Sequence, residues 1–274
     1  MRLTSPDNPR IRRIVQLRRS RDRRREGVFL AEGLREVARA IAAGLRLREL
    51  YVCPDLLLAS AGQVPGADVS DALIHEVTPA LMKRMAYLDE PEGVLAVFDE
   101  PAWRLEGLTT NGVDLWLVAV GLEKPGNLGA MARSVAAAGA SGLLVADAQV
   151  DPFNPNAIRA STGAVFGLPV ACAPSSQILA FLRGRNVRPI VAMPQAGTAY
   201  TAADLRGPVA LVIGAEDRGV DEFWRDAGRE LGECVAIPMA QGVVDSLNAS
   251  VTAGILLFEA LRQRGGQGNE RARE

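Results

Sequence analysis

Three loops of this 274-residue chain combine glycine with small polar or charged residues, directly after apolar, strand-like runs. Glycine lets a backbone approach a ligand closely. In open parallel α/β sheets, ligands bind beyond the carboxyl ends of the strands. These loops are therefore the candidate sites of the sequence: GLEKPGNLG (121–129), GAEDRGV (214–220) and IPMAQGVVDSLNAS (237–250).

The first loop has the G-x-x-x-x-G spacing of a phosphate-binding loop, from Gly121 to Gly126. The Lys and Ser/Thr that such a loop needs after its second glycine are missing, and Gly129 lacks the leading G-x-G of a dinucleotide fingerprint. What remains is Asn127 and Arg133 at the start of a helix. Together they suit a phosphate or a ribose, and the alternative is a helix cap followed by a surface arginine.

Histidine and cysteine chemistry is sparse in this sequence. The single histidine, His75, lies in an alternating strand-like segment and is interpreted as structural. Cys53, Cys172 and Cys234 are far apart and form no C-x-x-C pair, so neither a disulfide framework nor a metal site is predicted. With no long apolar run and no secretory signal, we expect a cytoplasmic protein without a membrane segment.

Positive charge is concentrated at the N-terminus. Residues 1–26 hold ten arginines against three acidic residues, a local charge of +7, which leaves −8 for the rest of a chain with net charge −1. This asymmetry is typical of nucleic-acid contact, and the alternative is a solvated helix face. The arginines that we predict to bind RNA here are Arg10, Arg12, Arg13 and Arg24.

The elements that position these residues form two α/β regions. Strand-like and helical segments alternate over residues 1–98, after a short basic helix over 8–20, and predict a small α/β domain. Residues 99–112 lose periodicity and are predicted to be a linker. Over 113–264, near-continuous apolar strands alternate with helices and predict a parallel sheet covered on both faces. The polar tail, 265–274, is predicted to be disordered.

Taken in order, the loop motifs resemble the SpoU/TrmH family of SPOUT RNA methyltransferases. They are N-x-G-x-x-x-R, G-x-E-x-x-G, and I-P-M followed by S-L-N-A-S, and the R-x-S-x-G-x-x-F pattern within 151–170 is also similar. Residues 1–95 resemble the L30e-like RNA-recognition domain of the ribosomal RNA subgroup. The resemblance implies an α/β fold in which this domain precedes a SPOUT domain with a C-terminal trefoil knot.

The resemblance also implies an activity: methyl transfer from S-adenosylmethionine (AdoMet) to a ribose 2′-hydroxyl of RNA, by a homodimer without a metal. The positions that match the family's catalytic motifs are Asn127, Arg133, Glu216, Ser246 and Asn248. The positions that match its cofactor-lining motifs are Gly214, Gly219, Ile237, Met239 and Leu247. Arg159, in the R-x-S-x-G pattern, is a further candidate RNA contact, with a helix-capping role as the alternative.

Three alternatives stay open at this stage. The substrate is ribosomal RNA in the favoured interpretation and transfer RNA in another, and a third is a non-catalytic RNA-binding protein. Arg133 acts either as the base, as proposed for the family, or as a phosphate clamp, which is favoured because the neutral form of a guanidinium is very rare near neutral pH. The third loop is one residue longer than usual in the family, and the extra residue either bulges outward or shifts Ser246 and Leu247.

Overall fold

The structure of the protein is a computed structural model that describes residues 2–59, 73–101, 103–110, 112–240 and 244–265. It divides into two compact units. Unit 1 consists of Met1–Ala102 and Asp151–Gly167, and unit 2 of Trp103–Val150 and Leu168–Glu274. Apart from Gly265, the predicted disordered tail lies outside the described residues.

The helices and strands follow one another in this order. The first half of the chain contains β1 (Arg2–Leu3), α1 (Pro9–Gln16), α2 (Ser20–Glu26), β2 (Val28–Glu32), α3 (Leu34–Ala42), β3 (Leu47–Val52), α4 (Pro54–Ala59), β4 (Leu73–Val77), α5 (Pro79–Met85), β5 (Val94–Asp99), β6 (Leu115–Val120) and α6 (Pro125–Ala137). The second half contains β7 (Gly142–Ala146), α7 (Pro155–Ala160), β8 (Val170–Ala173), α8 (Ser175–Gly184), β9 (Arg188–Ala192), β10 (Thr198–Ala199), β11 (Val209–Ile213), α9 (Glu222–Leu231), β12 (Glu233–Ala236) and α10 (Ala249–Gln263).

Unit 1 is built on a five-stranded mixed sheet in the order β1-β4-β3-β5-β2. β5 runs antiparallel to both of its neighbours, and the remaining pairs are parallel. This agrees with the predicted small α/β domain, and His75 lies in β4, almost fully buried. The short basic helix predicted over 8–20 is present as α1, but it ends at Gln16, and a second helix, α2, begins at Ser20. The helix is interrupted between α1 and α2, where the buried Arg23 guanidinium donates hydrogen bonds to the carbonyl oxygens of Leu17 and Arg18, both at 3.1 Å.

Unit 2 is built on a seven-stranded sheet in the order β10-β12-β9-β11-β6-β7-β8. All of its strand pairs are parallel, which confirms the predicted parallel sheet. β6, β7 and β11 are buried along their whole length, as expected for strands covered on both faces. The chain leaves the carboxyl ends of β6, β11 and β12 through the three candidate loops.

One segment departs from the predicted division of the chain. Asp151–Gly167 lies in sequence between two strands of unit 2 but groups with unit 1. Its Phe153 and Phe166 rings stack on Phe29, with centroids 5.0 and 5.3 Å away. Aromatic packing and a buried ion pair described below explain the grouping. Likewise, part of the predicted linker is core, since Leu105 and Leu108 are buried among the apolar side chains of unit 2.

The last helix completes unit 2. α10 packs against α6 and β11, so it lies beside the first and second candidate loops. No helix among the described residues is long and apolar enough to cross a membrane. The α/β fold with a parallel sheet is as predicted, and the trefoil knot stays a prediction.

Candidate functional site

A cavity of about 600 Å³ lies at the carboxyl edge of the parallel sheet of unit 2. All five residues predicted to contact the cofactor line it, together with two of the predicted catalytic residues, Glu216 and Ser246. The five are Gly214, Gly219, Ile237, Met239 and Leu247. The structure therefore brings the second and third loops to one wall. The third loop includes residues 241–243, which lie outside the described part of the chain.

Backbone, not side chain, shapes the second loop. A Cβ atom on Gly214 would lie 2.1 Å from the carbonyl carbon of Gly219 and 2.3 Å from the nitrogen of Val220. The Gly219 N–H donates to the Ala215 carbonyl at 2.7 Å, and Gly219 itself has φ of +64°, which favours glycine. The chain folds back on itself here because both positions lack a side chain, and this turn forms part of the cavity wall.

Beside the cavity, Asn127, Glu216 and Asn248 bond to one another; we call them the Asn–Glu–Asn cluster. The Asn127 Nδ2 donates to Glu216 Oε1 at 3.0 Å, and Asn248 Nδ2 donates to both Asn127 Oδ1, at 3.2 Å, and Glu216 Oε1. Each residue comes from a different loop. The structure thus joins three predicted catalytic residues that are far apart in sequence.

The start of α10 fixes the orientation of this cluster. Asn248 is the N-cap of α10, and its Oδ1 accepts the N–H groups of Ser250 and Val251 at 2.9 and 3.3 Å. Because the oxygen is committed to the helix, the Nδ2 group points to the other two cluster members. The capping interaction of Asn248 in the third loop therefore also fixes the orientation of the Asn127 amide in the first loop.

Lys124 is a residue that sequence reasoning missed. It precedes Gly126, whereas a phosphate-binding loop needs its lysine after the second glycine, so the loop pattern gave it no role. In the structure its ammonium group pairs with the Glu216 carboxylate. Hydrogen bonds from Lys124 and then Asn127 lower the pKa of Glu216 below its ordinary value. Glu216 is thus held as a carboxylate and is a weak proton acceptor.

A second cavity, of about 560 Å³, adjoins the first and shares Ala215 and Glu216 with it. Most of its other lining residues carry charged or amide side chains, and we call it the polar cavity; they are Glu123, Lys124, Asn127 and Asp217, together with Leu122. The first cavity is mostly lined by apolar and glycine residues. Glu216 therefore belongs to the walls of both cavities.

Arg133 is not part of either cavity wall. It lies six residues beyond Asn127 on α6, about 240° further around the helix axis. Its side chain is exposed and, among the described residues, has no ion pair or hydrogen bond. The structure therefore does not bring Arg133 to the Asn–Glu–Asn cluster of the same chain.

The predicted RNA-binding arginines have different surroundings. Arg13 is half-buried and pairs with Glu26 and Glu49, and Arg10 also approaches Glu49, at 3.8 Å. Arg12 is exposed and pairs with Asp7 at 2.7 Å. Arg24 and Arg159 are exposed and, within the described part of the chain, make no side-chain ion pair.

The first cavity also has lining residues that were not predicted from sequence, and some of them lie outside the candidate loops and the strands before them. Met193 and Pro194 follow β9, which lies between β11 and β12, and Thr252 lies in the first turn of α10. Ligands bind beyond the carboxyl ends of the strands in parallel sheets, and this also applies to the end of β9. Knowledge of the strand order would have identified this fourth contribution.

Solved structures similar to this chain are RNA methyltransferases. An AdoMet-bound rRNA methyltransferase from Sinorhizobium meliloti has a TM-score of 0.84 and 30% identity, over 96% of this chain and 97% of that one. An RNA 2′-O ribose methyltransferase has a TM-score of 0.80 and 40% identity, over 96% and 99%. The fold is thus that of the RNA methyltransferase class.

Sequence comparison identifies the family. The SpoU rRNA Methylase family matches residues 114–258, and an MRM3-like substrate binding domain matches residues 8–96. A 23S rRNA (uridine(2479)-2′-O)-methyltransferase of Streptomyces viridochromogenes is 32% identical over 270 residues, 96% of this chain and 92% of the relative. The chain belongs to the SpoU rRNA methylase family, which confirms the family predicted from its loops.

Proposed function

We propose that this protein transfers the methyl group of AdoMet to the 2′-hydroxyl of a ribose in ribosomal RNA. The observation that carries the proposal is the Asn–Glu–Asn cluster between the glycine-walled cavity and the polar cavity, in a chain of the SpoU family. Relatives with this fold are bound to AdoMet or act on 23S rRNA ribose. The arrangement offers separate spaces for a cofactor and for a ribose.

The first cavity fits AdoMet in size and chemistry. Its lining is mostly apolar with a few polar groups, which is typical of small-molecule sites. Ile237, Met239 and Leu247 provide an apolar surface for an adenine ring, and the Gly214–Gly219 turn brings backbone close to the ligand. The Glu216 carboxylate provides a negative group beside a positively charged sulfonium. We assign these residues to cofactor binding.

The chain's own residues orient the acceptor. When bound, AdoMet supplies an electrophilic methyl group that needs no metal ion for transfer. Asn127 lines the polar cavity, and its amide is held in place by Asn248, the N-cap of α10, whereas Ser246 adds a hydroxyl at the first cavity. Holding reacting groups in line is worth on the order of 7–11 kcal/mol. Glu216, with its lowered pKa, orients amides, and the proton of the 2′-hydroxyl passes to the adjacent RNA phosphate or to solvent instead.

Arg133 acts in this proposal on an RNA phosphate. Its guanidinium stays charged near neutral pH and forms forked hydrogen bonds with phosphate. Because it faces away from the cluster of its own chain, we propose that it serves the site of a second copy in a homodimer. The exposed side chains of Val251 and Phe258, 48 and 49% accessible on one face of α10, support a second copy there.

RNA contact by unit 1 completes the proposal. Arg24 and Arg159 are the exposed candidates without an ion pair in the described chain, whereas Arg10, Arg12 and Arg13 engage carboxylates. The match to a substrate binding domain supports RNA recognition by this unit. We place the protein in the cytoplasm, where ribosomal RNA is accessible to it.

The deciding experiment supplies tritiated AdoMet and total unmodified RNA to the full chain, and then maps the labelled ribose. We expect label at a 2′-oxygen of 23S rRNA. Label on transfer RNA would show that transfer RNA, and not ribosomal RNA, is the substrate. No label on any RNA would favour the non-catalytic RNA-binding alternative. Arg133→Ala should lose transfer but keep AdoMet affinity, with Arg183→Ala, an exposed arginine on α8, as the control.

A further inference from the structure

Unit 1 contains its own cavity, of about 720 Å³, formed by residues that none of the candidate loops contributes. The end of β2, the start of α3, the turn after α5 and the helix α7 line it. We propose that this cavity binds one unpaired guanine nucleotide of the RNA substrate. The inference rests on the proposed RNA substrate, but its test does not require methyl transfer.

Two carboxylates in this cavity hold open acceptor atoms. The Glu36 side chain is only 8% exposed, and Arg35 donates two hydrogen bonds, of 3.0 and 2.7 Å, to its Oε1. The Leu34 N–H donates to Glu92 Oε2 at 3.0 Å. Within the described residues, neither Glu36 Oε2 nor Glu92 Oε1 accepts a hydrogen bond. Because neither atom is engaged with a donor of the protein, both are free to accept hydrogen bonds from the N–H groups of a ligand in the cavity.

Gly33 keeps the space between these carboxylates open. Its φ of +98° is a conformation that other residues rarely adopt. A Cβ atom at this position would lie 2.9 Å from Glu36 Oε2 and 3.3 Å from Glu92 Oε2. Both carboxylates therefore converge over a bare backbone position, and a side chain here would close the space that the ligand needs.

Guanine is the base whose edge matches this chemistry. Proteins recognise unpaired bases by their Watson–Crick edges, and carboxylates accept from base N–H groups. Guanine presents two adjacent donors there, N1–H and N2–H₂. Uracil presents one donor between two carbonyl oxygens, which carboxylates repel. Leu30, Leu88 and Ile158 line the same cavity and provide apolar contact for the faces of the base.

Two arginines of the cavity wall favour a nucleotide over a free base, because they can bind its phosphate. Arg159 is exposed and, among the described residues, has no side-chain partner. The side chain of Arg35 is 57% exposed. Guanidinium groups bind phosphate with paired hydrogen bonds. Since Arg159 belongs to Asp151–Gly167, the packing of that segment on unit 1 completes the site.

The test titrates the full chain, without AdoMet or RNA, with GMP, IMP and UMP and follows ligand NMR signals. We expect GMP to bind. IMP lacks the N2 amino group and should bind about tenfold more weakly, as for loss of one hydrogen bond to a charged group. UMP should show no binding at about 10 mM. Equal binding of GMP and UMP, or no GMP binding at this concentration, would overturn the proposal.

Variants locate the bound nucleotide. Glu92→Gln retains an oxygen for the Leu34 N–H and turns an amide donor toward the cavity, so GMP affinity should fall about tenfold. Glu90→Gln, an exposed neighbour outside the cavity, is the matched control. Arg159→Ala should weaken GMP but not guanosine, with Arg183→Ala as its control. Unchanged GMP affinity in a folded Glu92→Gln protein contradicts the assignment.

The proposed guanine site and the proposed methyltransferase activity can be contradicted independently of each other. Ribose methylation by a protein without guanine selectivity would overturn the guanine site alone. Selective GMP binding that Glu92→Gln weakens, in a protein that methylates no RNA, would overturn the proposed activity and leave a guanine-binding protein.

Discussion

The two ligand cavities of this protein are built by different means. In unit 2 the wall is mostly apolar, a glycine turn shapes it, and the polar groups at its edge bond to one another. In unit 1 the wall is polar, and Glu36 and Glu92 keep acceptor atoms open. If both cavities bind ligands as proposed, the first would select by shape and the second by hydrogen bonds to its open acceptor atoms.

This difference predicts how each cavity responds to substitution. A shape made by closely approaching backbone fails when any atom is added, whereas a polar wall changes its preference when one acceptor becomes a donor. The two units also depend on different long-range contacts. The loops of unit 2 are joined by hydrogen bonds and an ion pair near the surface. In unit 1, an ion pair that is almost fully buried joins Asp151–Gly167 to the rest of the unit.

The largest effect is expected for Gly214→Ala. The added methyl group would lie within 2.3 Å of three backbone atoms, so no rotamer change relieves the contact and the turn must move. We expect AdoMet binding to be abolished in calorimetry. Gly184→Ala is the control, because a Cβ there meets nothing within 4 Å. Retained affinity in Gly214→Ala would show that the turn does not shape the cofactor wall.

The next effect concerns the ion pair that holds Asp151–Gly167 to unit 1. Arg23 and Asp151 are 2.7 Å apart, with side chains 1 and 8% exposed. Asp151→Ala leaves a buried guanidinium without its partner and should cost about 3–5 kcal/mol of unit 1 stability. Hydrogen exchange of the amides in β2 and α3 measures this.

An exposed ion pair is the matched comparison for that substitution. Asp7→Ala removes the partner of Arg12 at the surface, where solvent screens both charges. We expect no measurable change in exchange. If Asp151→Ala behaved like Asp7→Ala, the segment would be held by its phenylalanines and not by the ion pair.

Local patterns explain why the site of unit 2 was largely predictable. The buried runs of β6 and β11 and the glycine-containing loops after them are contiguous in sequence, so periodicity and turn chemistry identified them. The family resemblance then indicated Asn127, Glu216 and Asn248, which the structure joins. Lys124 escaped because its partner is 92 residues away.

Long-range packing explains what could not be predicted. Arg23 and Arg24 are neighbours in an arginine-rich stretch, and no local signal separates the buried one from the exposed one. The distinction depends on Asp151, 128 residues away from Arg23. For the same reason, Asp151–Gly167 was assigned to the domain around it in sequence. Its two phenylalanines pack on Phe29 of β2, a contact that no local pattern indicates.

A smaller effect distinguishes the arginines of unit 1. Arg24→Ala should reduce the salt slope of RNA binding by about 0.7–0.9, the contribution of one phosphate contact, without changing stability. Arg13→Ala should leave the slope nearly unchanged and lower stability, because Arg13 pairs with Glu26 and Glu49 inside the protein. Equal slopes for wild type and Arg24→Ala would mean that Arg24 belongs to a solvated helix face and does not contact RNA.

The smallest effect is the pH dependence contributed by the Asn–Glu–Asn cluster. Lys124 and Asn127 hold the pKa of Glu216 below its ordinary value of 4.5. A lowered pKa in the folded state means that the stabilisation is fully present above 4.5 and is lost as the pH falls through the lowered pKa. Because the carboxylate is near the surface, solvent screening keeps the gain well under about 1 kcal/mol.

Thermal unfolding of wild type and Glu216→Gln between neutral pH and pH 3 measures this term. Wild type should lose slightly more stability than the variant over the acid end, with the two curves parallel above 4.5. Glu230→Gln, an exposed carboxylate on α9, serves as the control and should follow wild type. Parallel curves over the whole range would mean that Lys124 and Asn127 orient Glu216 without stabilising its charge, and the polar edge of unit 2 would then depend on geometry alone.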